Sequence, residues 1–328
     1  MTPVRRVRSK GSRTIGRVAL PVGRGDVERA AAVVAGRVRR TPILSSRTLG
    51  PDVFLKAELL QRTGSFKPRG VLTKLASLDE DEKARGVIGI SAGNHAQAVA
   101  WAAAEEGLDA LVVMWRGASE AKIAATRGYG AAVDLEAGGP GEAFERLAEL
   151  LEATGRTLVH PFDDPLTIAG QGTVGLEVLE DVDGVDTIVV PIGGGGLISG
   201  IATAAAGSAR VIGVEPELST AMSSALAAGE PVDVTPTSIA DGLNAPHAGR
   251  AALAIVQELV EELVLVTEDE LEAAFRFLYE RAKLACEPAG AAAVAAVLAG
   301  KTGGGRTVCI VSGGNVAAGT AAGILAGP

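Results

Sequence analysis

The feature that most constrains this chain is its alternation of short β-branched runs with alanine-rich amphipathic stretches, an α/β signature. Strands are predicted at 87–91, 110–114, 131–135 and 157–160, with helices at 96–106, 119–127 and 141–152. These make one block, 86–162, that suits a small parallel layer. A second block opens with a helix at 170–179. Its strands fall at 187–191, 210–214, 263–266 and 308–311, and its further helices at 197–206, 221–228, 250–260, 268–284 and 288–298. Glu268, Asp269 and Glu270 suit the positive end of their helix. No internal repeat is visible.

With 328 residues the chain has material for about two domains. Its hydrophobic content of 47% is that of a soluble globular protein, and its net charge of −8 argues against nucleic acid as a partner. Arg5, Arg6, Arg8, Lys10, Arg13 and Arg17 run the other way and read as a solvated, partly disordered arm over 1–16. No apolar run follows them as in a secretory signal, and none reaches the ~20 residues that cross a bilayer. Cys286 and Cys309 suit small buried hydrophobes, not a disulfide framework. His95, His160 and His247 fit no ligand spacing, so no metal is expected. A cytoplasmic protein without membrane partners follows.

Gly193, Gly194, Gly195 and Gly196 stand between the strand at 187–191 and the next helix. Backbone N–H groups there converge on an anion with help from the helix dipole, and glycine lets a phosphate come close. A plain strand-to-helix turn would use such glycines too. A dinucleotide fingerprint needs glycines at i, i+2 and i+5, but the last position is Ser199 or Ile198; Glu215, at the end of the following strand, keeps that alternative open. Gly300-Lys301-Thr302 fails as a triphosphate loop because Ala295 holds the upstream glycine position.

Ser65-Phe66-Lys67-Pro68-Arg69-Gly70 places one lysine beside an aromatic face. An amine suits imine formation and then proton abstraction, and Phe66 suits packing on a planar ring. In Ser91-Ala92-Gly93-Asn94-His95 an amide sits between strand and helix. Asn94 can bond a ring hydroxyl and the backbone can receive a carboxylate; the alternative is Asn94 as an ordinary N-cap, with His95 structural. Ser312-Gly313-Gly314-Asn315 falls at the carboxyl end of the last strand, where Ser312 could meet a pyridine nitrogen. A neutral hydroxyl there gives a weaker electron sink, suited to elimination. Amine, polar turn and glycine loop together point to pyridoxal 5'-phosphate.

In this order the motifs resemble the serine/threonine dehydratase group of tryptophan-synthase-β-like pyridoxal-phosphate enzymes, fold type II. The likeness runs from Thr41-Pro42 to Asn315 and includes His160-Pro161-Phe162-Asp163-Asp164-Pro165, Gly170-Gln171-Gly172-Thr173, Ala240-Asp241-Gly242-Leu243 and Glu287-Pro288-Ala289-Gly290-Ala291. It implies two open twisted α/β domains with the cofactor in the cleft between them: a large one, 17–85 and 163–328, and a small one, 86–162. Lys67 would be the Schiff-base lysine with Phe66 against the ring. Asn94 would bond the ring hydroxyl, the four glycines would cup the phosphate, and Ser312 would meet the ring nitrogen. Ser91, Ala92, Gly93, Asn94 and His95 would hold the substrate carboxylate, with Glu287 and Gly242 near the site.

The implied reaction is α,β-elimination on a β-hydroxy amino acid, L-threonine and L-serine first, giving a 2-oxo acid and ammonia. Pro68 stands where threonine and cysteine synthases carry an acidic residue, and Val71 where alanine is usual. Ala92 stands where serine racemases place their opposite-face serine, which counts against racemisation. Glu215 matches one residue of the racemase metal site but Ala221 occupies the second position. The sequence ends soon after Asn315, so feedback by isoleucine is not expected. The family implies a homodimer or homotetramer. Other readings are ammonia loss from 3-hydroxyaspartate, a nicotinamide-dependent oxidoreductase and a non-catalytic binding protein.

Overall fold

Two sheets carry the molecule, and their strands end on a common cleft. A computed structural model describes residues 6–8 and 19–327. The strands are β1 (Arg6–Arg8), β2 (Ile43–Ser45), β3 (Val53–Lys56), β4 (Val87–Ile90), β5 (Ala110–Trp115), β6 (Ala132–Ala137), β7 (Thr157–Leu158), β8 (Thr187–Pro191), β9 (Arg210–Pro216), β10 (Glu262–Val266) and β11 (Thr307–Ile310). The larger sheet has seven strands in the order β1-β10-β9-β8-β11-β3-β2. Its inner strands are parallel, and β1 and β2 close the edges antiparallel. The smaller sheet, β6-β5-β4-β7, is parallel throughout. The basic arm expected over 1–16 lies outside the described residues apart from β1.

Alternate residues of the central strands feed different layers. Ile188 and Val190 of β8 pack with the helices Gly196–Ala205 and Arg250–Leu259, while Val189 faces the helices Glu268–Phe277 and Pro288–Leu298. Both faces are covered, which is why these strands read as continuous apolar runs. Strand order runs outward from β8 through β9 to β10, and β11 then enters on the other side of β8. The gap between β8 and β11 is therefore a switch point, where open α/β sheets bind ligands.

The structure adds what the apolar pattern did not show. Helices cover Arg24–Val34, Pro68–Leu75, Glu80–Arg85 and Ala318–Ala326. The helix expected at 170–179 runs Pro165–Asp181, because Asp164 caps it by accepting the N–H groups of Leu166 and Thr167 and Pro165 starts it. The helix expected to reach 284 leaves α geometry after Phe277 for one wider turn, Leu278–Ala282, and stops at Lys283 with φ +60°. Val71, Leu72 and Leu75 of the helix Pro68–Leu75 belong to the core of the smaller sheet. That helix also lies against Pro165–Asp181, where Gly70 and Gly170 bring the backbones together: a Cβ on Gly170 would be 2.5 Å from Arg69 O.

Candidate active site

Loops from both sheets enclose a cleft of about 710 Å³. Lys67 reaches it from a segment held on two sides. Ser65 bridges to Gly313, Phe66 N–H donates to Ser312 O at 3.2 Å, and the helix starting at Pro68 fixes the other flank. The Lys67 amine donates to Pro161 O at 2.7 Å and lies 5.1 Å from the Phe66 ring centre. By surface the residue is only half-buried, since the cleft opens on it, yet enough protein surrounds the amine to strip its water. Burial lowers its pKa from 10.5 to about 8, against the opposing pull of the Glu287 carboxylate.

The glycine loop follows β8 and precedes the helix Gly196–Ala205. Among the described residues, no protein acceptor takes the N–H groups of Gly193, Gly194, Gly195, Gly196 or Leu197. Side chains would fill this cradle. A Cβ on Gly194 would stand 2.3 Å from Phe162 Cγ, and Gly195, at φ +100°, would meet Met222 Cε at 2.5 Å. Free donors, absent side chains and a helix N-terminus fit a phosphate.

The turn after β4 is the second anion-seeking feature. Ser91 N–H is spent on Val113 O, and Ser91 Oγ accepts from Gly93 N–H at 3.0 Å. The helix begins at Asn94, earlier than expected, with Gly93 as its cap. Asn94 is therefore not the N-cap. Its side chain turns away to donate to Glu287 Oε1 at 2.6 Å and to accept from Asn315 Nδ2 at 2.8 Å. His95 is buried, with Nε2 2.8 Å from Val159 O; burial first, then the Lys67 charge, drive its pKa to about 3. It is neutral, so Nε2 carries the proton and donates.

Glu287 is 2% exposed, and burial, with Asp241 adding to it, lifts its pKa to about 7. Its Oε1 lies so near Gly313 that a Cβ there would be 2.3 Å away. A Cβ on Gly242 would be 3.5 Å from the same oxygen. Ser312 follows β11 and lines the cleft beside Phe66. Every residue proposed from sequence thus borders one space: Phe66, Lys67, Ser91, Ala92, Gly93, Asn94, His95, the four glycines, Gly242, Glu287 and Ser312.

Sequence reasoning missed Asn315 as a partner of Asn94, Pro161 as the acceptor for Lys67, and Phe162 as the floor of the glycine cradle. It also missed the ion pair of Lys122 with Asp241, which joins the helix Glu120–Gly128 to the loop 231–249 across the cleft. The Ser-Gly-Gly-Asn, His-Pro-Phe-Asp-Asp-Pro and Ala-Asp-Gly-Leu segments contain Asn315, Pro161, Phe162 and Asp241, whereas no motif marked Lys122. Glu215 lies apart from this site. Its oxygens accept the N–H groups of Met222 and Ser223 and the Ser223 hydroxyl, so it caps the helix Ala221–Ala228. Among the described residues no His, Cys, Asp and Glu side chains group as a metal site.

A lysine of lowered pKa, a glycine phosphate cradle and a polar turn, at the strand ends of two parallel α/β units, define a pyridoxal-phosphate enzyme of fold type II. The family described as pyridoxal-phosphate dependent enzyme matches residues 34–313, and the chain belongs to it, within the threonine dehydratase group. The catabolic L-threonine dehydratase TdcB of Escherichia coli K12 is 44% identical over 310 residues, 90% of this chain and 94% of that protein. The Staphylococcus aureus TdcB is 43% identical over 309 residues, 90% and 89% of the two chains. Among solved structures, the threonine deaminase of T.th. has a TM-score of 0.83 at 40% identity, covering 90% of this chain and 99% of that one. Maize serine racemase has a TM-score of 0.88 at 36% identity, covering 92% and 95%.

Proposed function

We propose that this protein eliminates water from L-threonine, and from L-serine, releasing 2-oxobutyrate or pyruvate with ammonia. The observation that carries this reading is the lysine amine, pKa about 8, set between the glycine cradle and the turn at 91–95. Relatives named L-threonine dehydratase at 43–44% identity support it.

Pyridoxal phosphate, when bound, supplies the electron sink that makes the Cα proton acidic. The chain's own residues do the rest. The N–H groups of Gly193, Gly194, Gly195 and Gly196 would hold the phosphate. Phe66 would pack beside the ring, Asn94 would offer its second amide hydrogen to the ring oxygen, and Ser312 would offer a neutral hydroxyl to the ring nitrogen. Ser91, Ala92, Gly93, Asn94 and His95 hold the carboxylate at a helix N-terminus. Lys67, about half neutral at pH 8, would take the Cα proton. The β-hydroxyl leaves with a proton as water, and hydrolysis of the enamine product returns water and frees ammonia. Ala92 offers no second acid–base group on the opposite face, which disfavours racemisation.

The four-stranded unit, 86–162, acts as the small domain that closes the cleft, with Lys122–Asp241 as a contact across it. A cytoplasmic homodimer or homotetramer belongs to the same proposal and is checked by sedimentation. The deciding assay is 2-oxo acid release with L-threonine, L-serine and D-serine. Prompt 2-oxobutyrate from L-threonine supports the reading. Silence with all three moves the reaction to another amino acid.

A further inference from the structure

Once the cofactor ring and substrate carboxylate are assigned, part of the cleft lining is unclaimed. It includes an apolar group, Trp115 at the end of β5, Phe144, Phe162, and Val234, Leu243 and Ala245 from the loop 231–249, with Thr235 and Asn244 as polar neighbours on that loop. Phe162 lies against Gly194, its centre is 6.1 Å from that of His247, and His247 is 6.1 Å from Phe144 on the opposite unit. This apolar group shares the cleft with Lys67 and the turn at 91–95, so it is available to a substrate's β-substituent.

Charge decides what that substituent can be. Among the described residues the cleft is lined by no arginine, and its lysines are Lys67 and Lys122. Lys67 is reserved for the Cα proton, and Lys122 is paired with Asp241. The remaining charged groups in the lining, Asp241 and Glu287, are acidic. A second substrate carboxylate would enter without a free cation to pair with, in a cleft that also holds the buried Glu287, at a heavy desolvation cost. An uncharged apolar group would instead bury surface against aromatic rings.

We propose that the site is built for β-hydroxy amino acids with an apolar β-substituent, extending past the methyl of threonine to a phenyl ring, and that it rejects acidic ones such as 3-hydroxyaspartate. This rests on the elimination reading above and narrows its substrate class.

The test uses the holoenzyme with L-threonine, L-threo-3-phenylserine and L-threo-3-hydroxyaspartate as substrates. Calorimetric binding of L-2-aminobutyrate, L-phenylalanine and L-aspartate, which lack the β-hydroxyl, runs beside it. Expected is kcat/KM for phenylserine within about tenfold of that for threonine, and for hydroxyaspartate at least about 100-fold lower. L-Phenylalanine binds at least about tenfold tighter than L-aspartate. Phe144→Ala and Trp115→Ala each lower the phenylalanine-to-aminobutyrate affinity ratio by about fivefold or more. Turnover of threonine without turnover of phenylserine or binding of phenylalanine overturns the substrate class and leaves the elimination reading standing. Equal binding of L-aspartate and L-phenylalanine also overturns it. If no substrate yields a keto acid but phenylalanine still outbinds aspartate, elimination fails and the apolar pocket stands.

Discussion

Asn94 donates to the buried carboxylate of Glu287 at 2.6 Å while Asn315 donates to Asn94 Oδ1 at 2.8 Å, and these two bonds fix the amide in one orientation. One Asn94 N–H remains free, and in the proposed role of bonding the ring oxygen it would carry the charge state of Glu287 to the cofactor. Burial, then Asp241, raises Glu287 to about 7. The visible spectrum of the holoenzyme should titrate near pH 7. Glu287→Gln removes that transition, and Asp241→Asn moves it to lower pH because a raising charge is gone. The stability sign follows from the same shift. A carboxyl whose folded pKa is raised favours folding below its ordinary value of 4.5, and that contribution is lost as pH rises through about 7. The apoprotein of Glu287→Gln should therefore gain Tm relative to wild type between pH 5 and pH 8. An unchanged difference would remove Glu287 as the titrating group.

Lys67 gives a second pH signature, readable without turnover. Burial depresses its amine to about 8, and only the neutral amine attacks an aldehyde. Cofactor uptake by the apoenzyme, followed by stopped-flow absorbance, should accelerate with a midpoint near pH 8. An ordinary lysine would place it above 10. Lys67→Ala should abolish keto acid release and shift the bound cofactor's absorption. Retained activity in Lys67→Ala would refute its role.

Two glycines in one stretch should fail differently. Alanine at Gly194 puts a Cβ against Phe162 at 2.3 Å and into the cradle, so cofactor affinity should fall about tenfold or more with a modest loss of stability. Alanine at Gly200 meets Ile168 O at 2.3 Å and Gly172 N at 2.4 Å, backbone that cannot step aside. That variant should lose about 1–3 kcal/mol of folding stability, as overpacking does, while cofactor affinity per folded molecule changes little. Equilibrium dialysis and urea unfolding separate the two outcomes.

How far the sequence could be read follows from what carries each element. Strand β8 and the loop after it were legible because both-face burial leaves an apolar run and a phosphate cradle leaves glycines. Edge strand β2 and its neighbour β3 were not, being short and set by their neighbours in the sheet. The candidate residues were legible where one side chain does chemistry, as at Lys67. They were illegible where the role is a contact between distant segments. Nothing local marks Asn315 as the partner of Asn94, since their separation of 221 residues closes only in the fold.

The least legible feature is a buried ion network behind Lys67. Arg69 is fully buried and donates to both oxygens of Glu58 at 2.8 and 2.9 Å, to both oxygens of Glu177 at 2.7 and 2.9 Å, and to Thr173 Oγ1 at 3.1 Å. Lys56, also fully buried, donates to Glu177 Oε2 at 2.6 Å and to Thr41 O at 2.8 Å. Two cations and two carboxylates thus tie β3, the helix Pro68–Leu75 and the helix Pro165–Asp181 together. A charge removed from such a group leaves its partners unpaired in a dry interior. Arg69→Met should therefore cost about 3–5 kcal/mol, whereas a surface pair such as Lys83–Glu80 should change stability by about 0.5 kcal/mol or less. Urea unfolding of Arg69→Met, Glu58→Gln and the double variant measures the coupling. A double variant less damaged than the sum of its parts is expected, because each single change strands a charge that the pair removes together. Strict additivity would mean that Arg69 and Glu58 do not act as a unit.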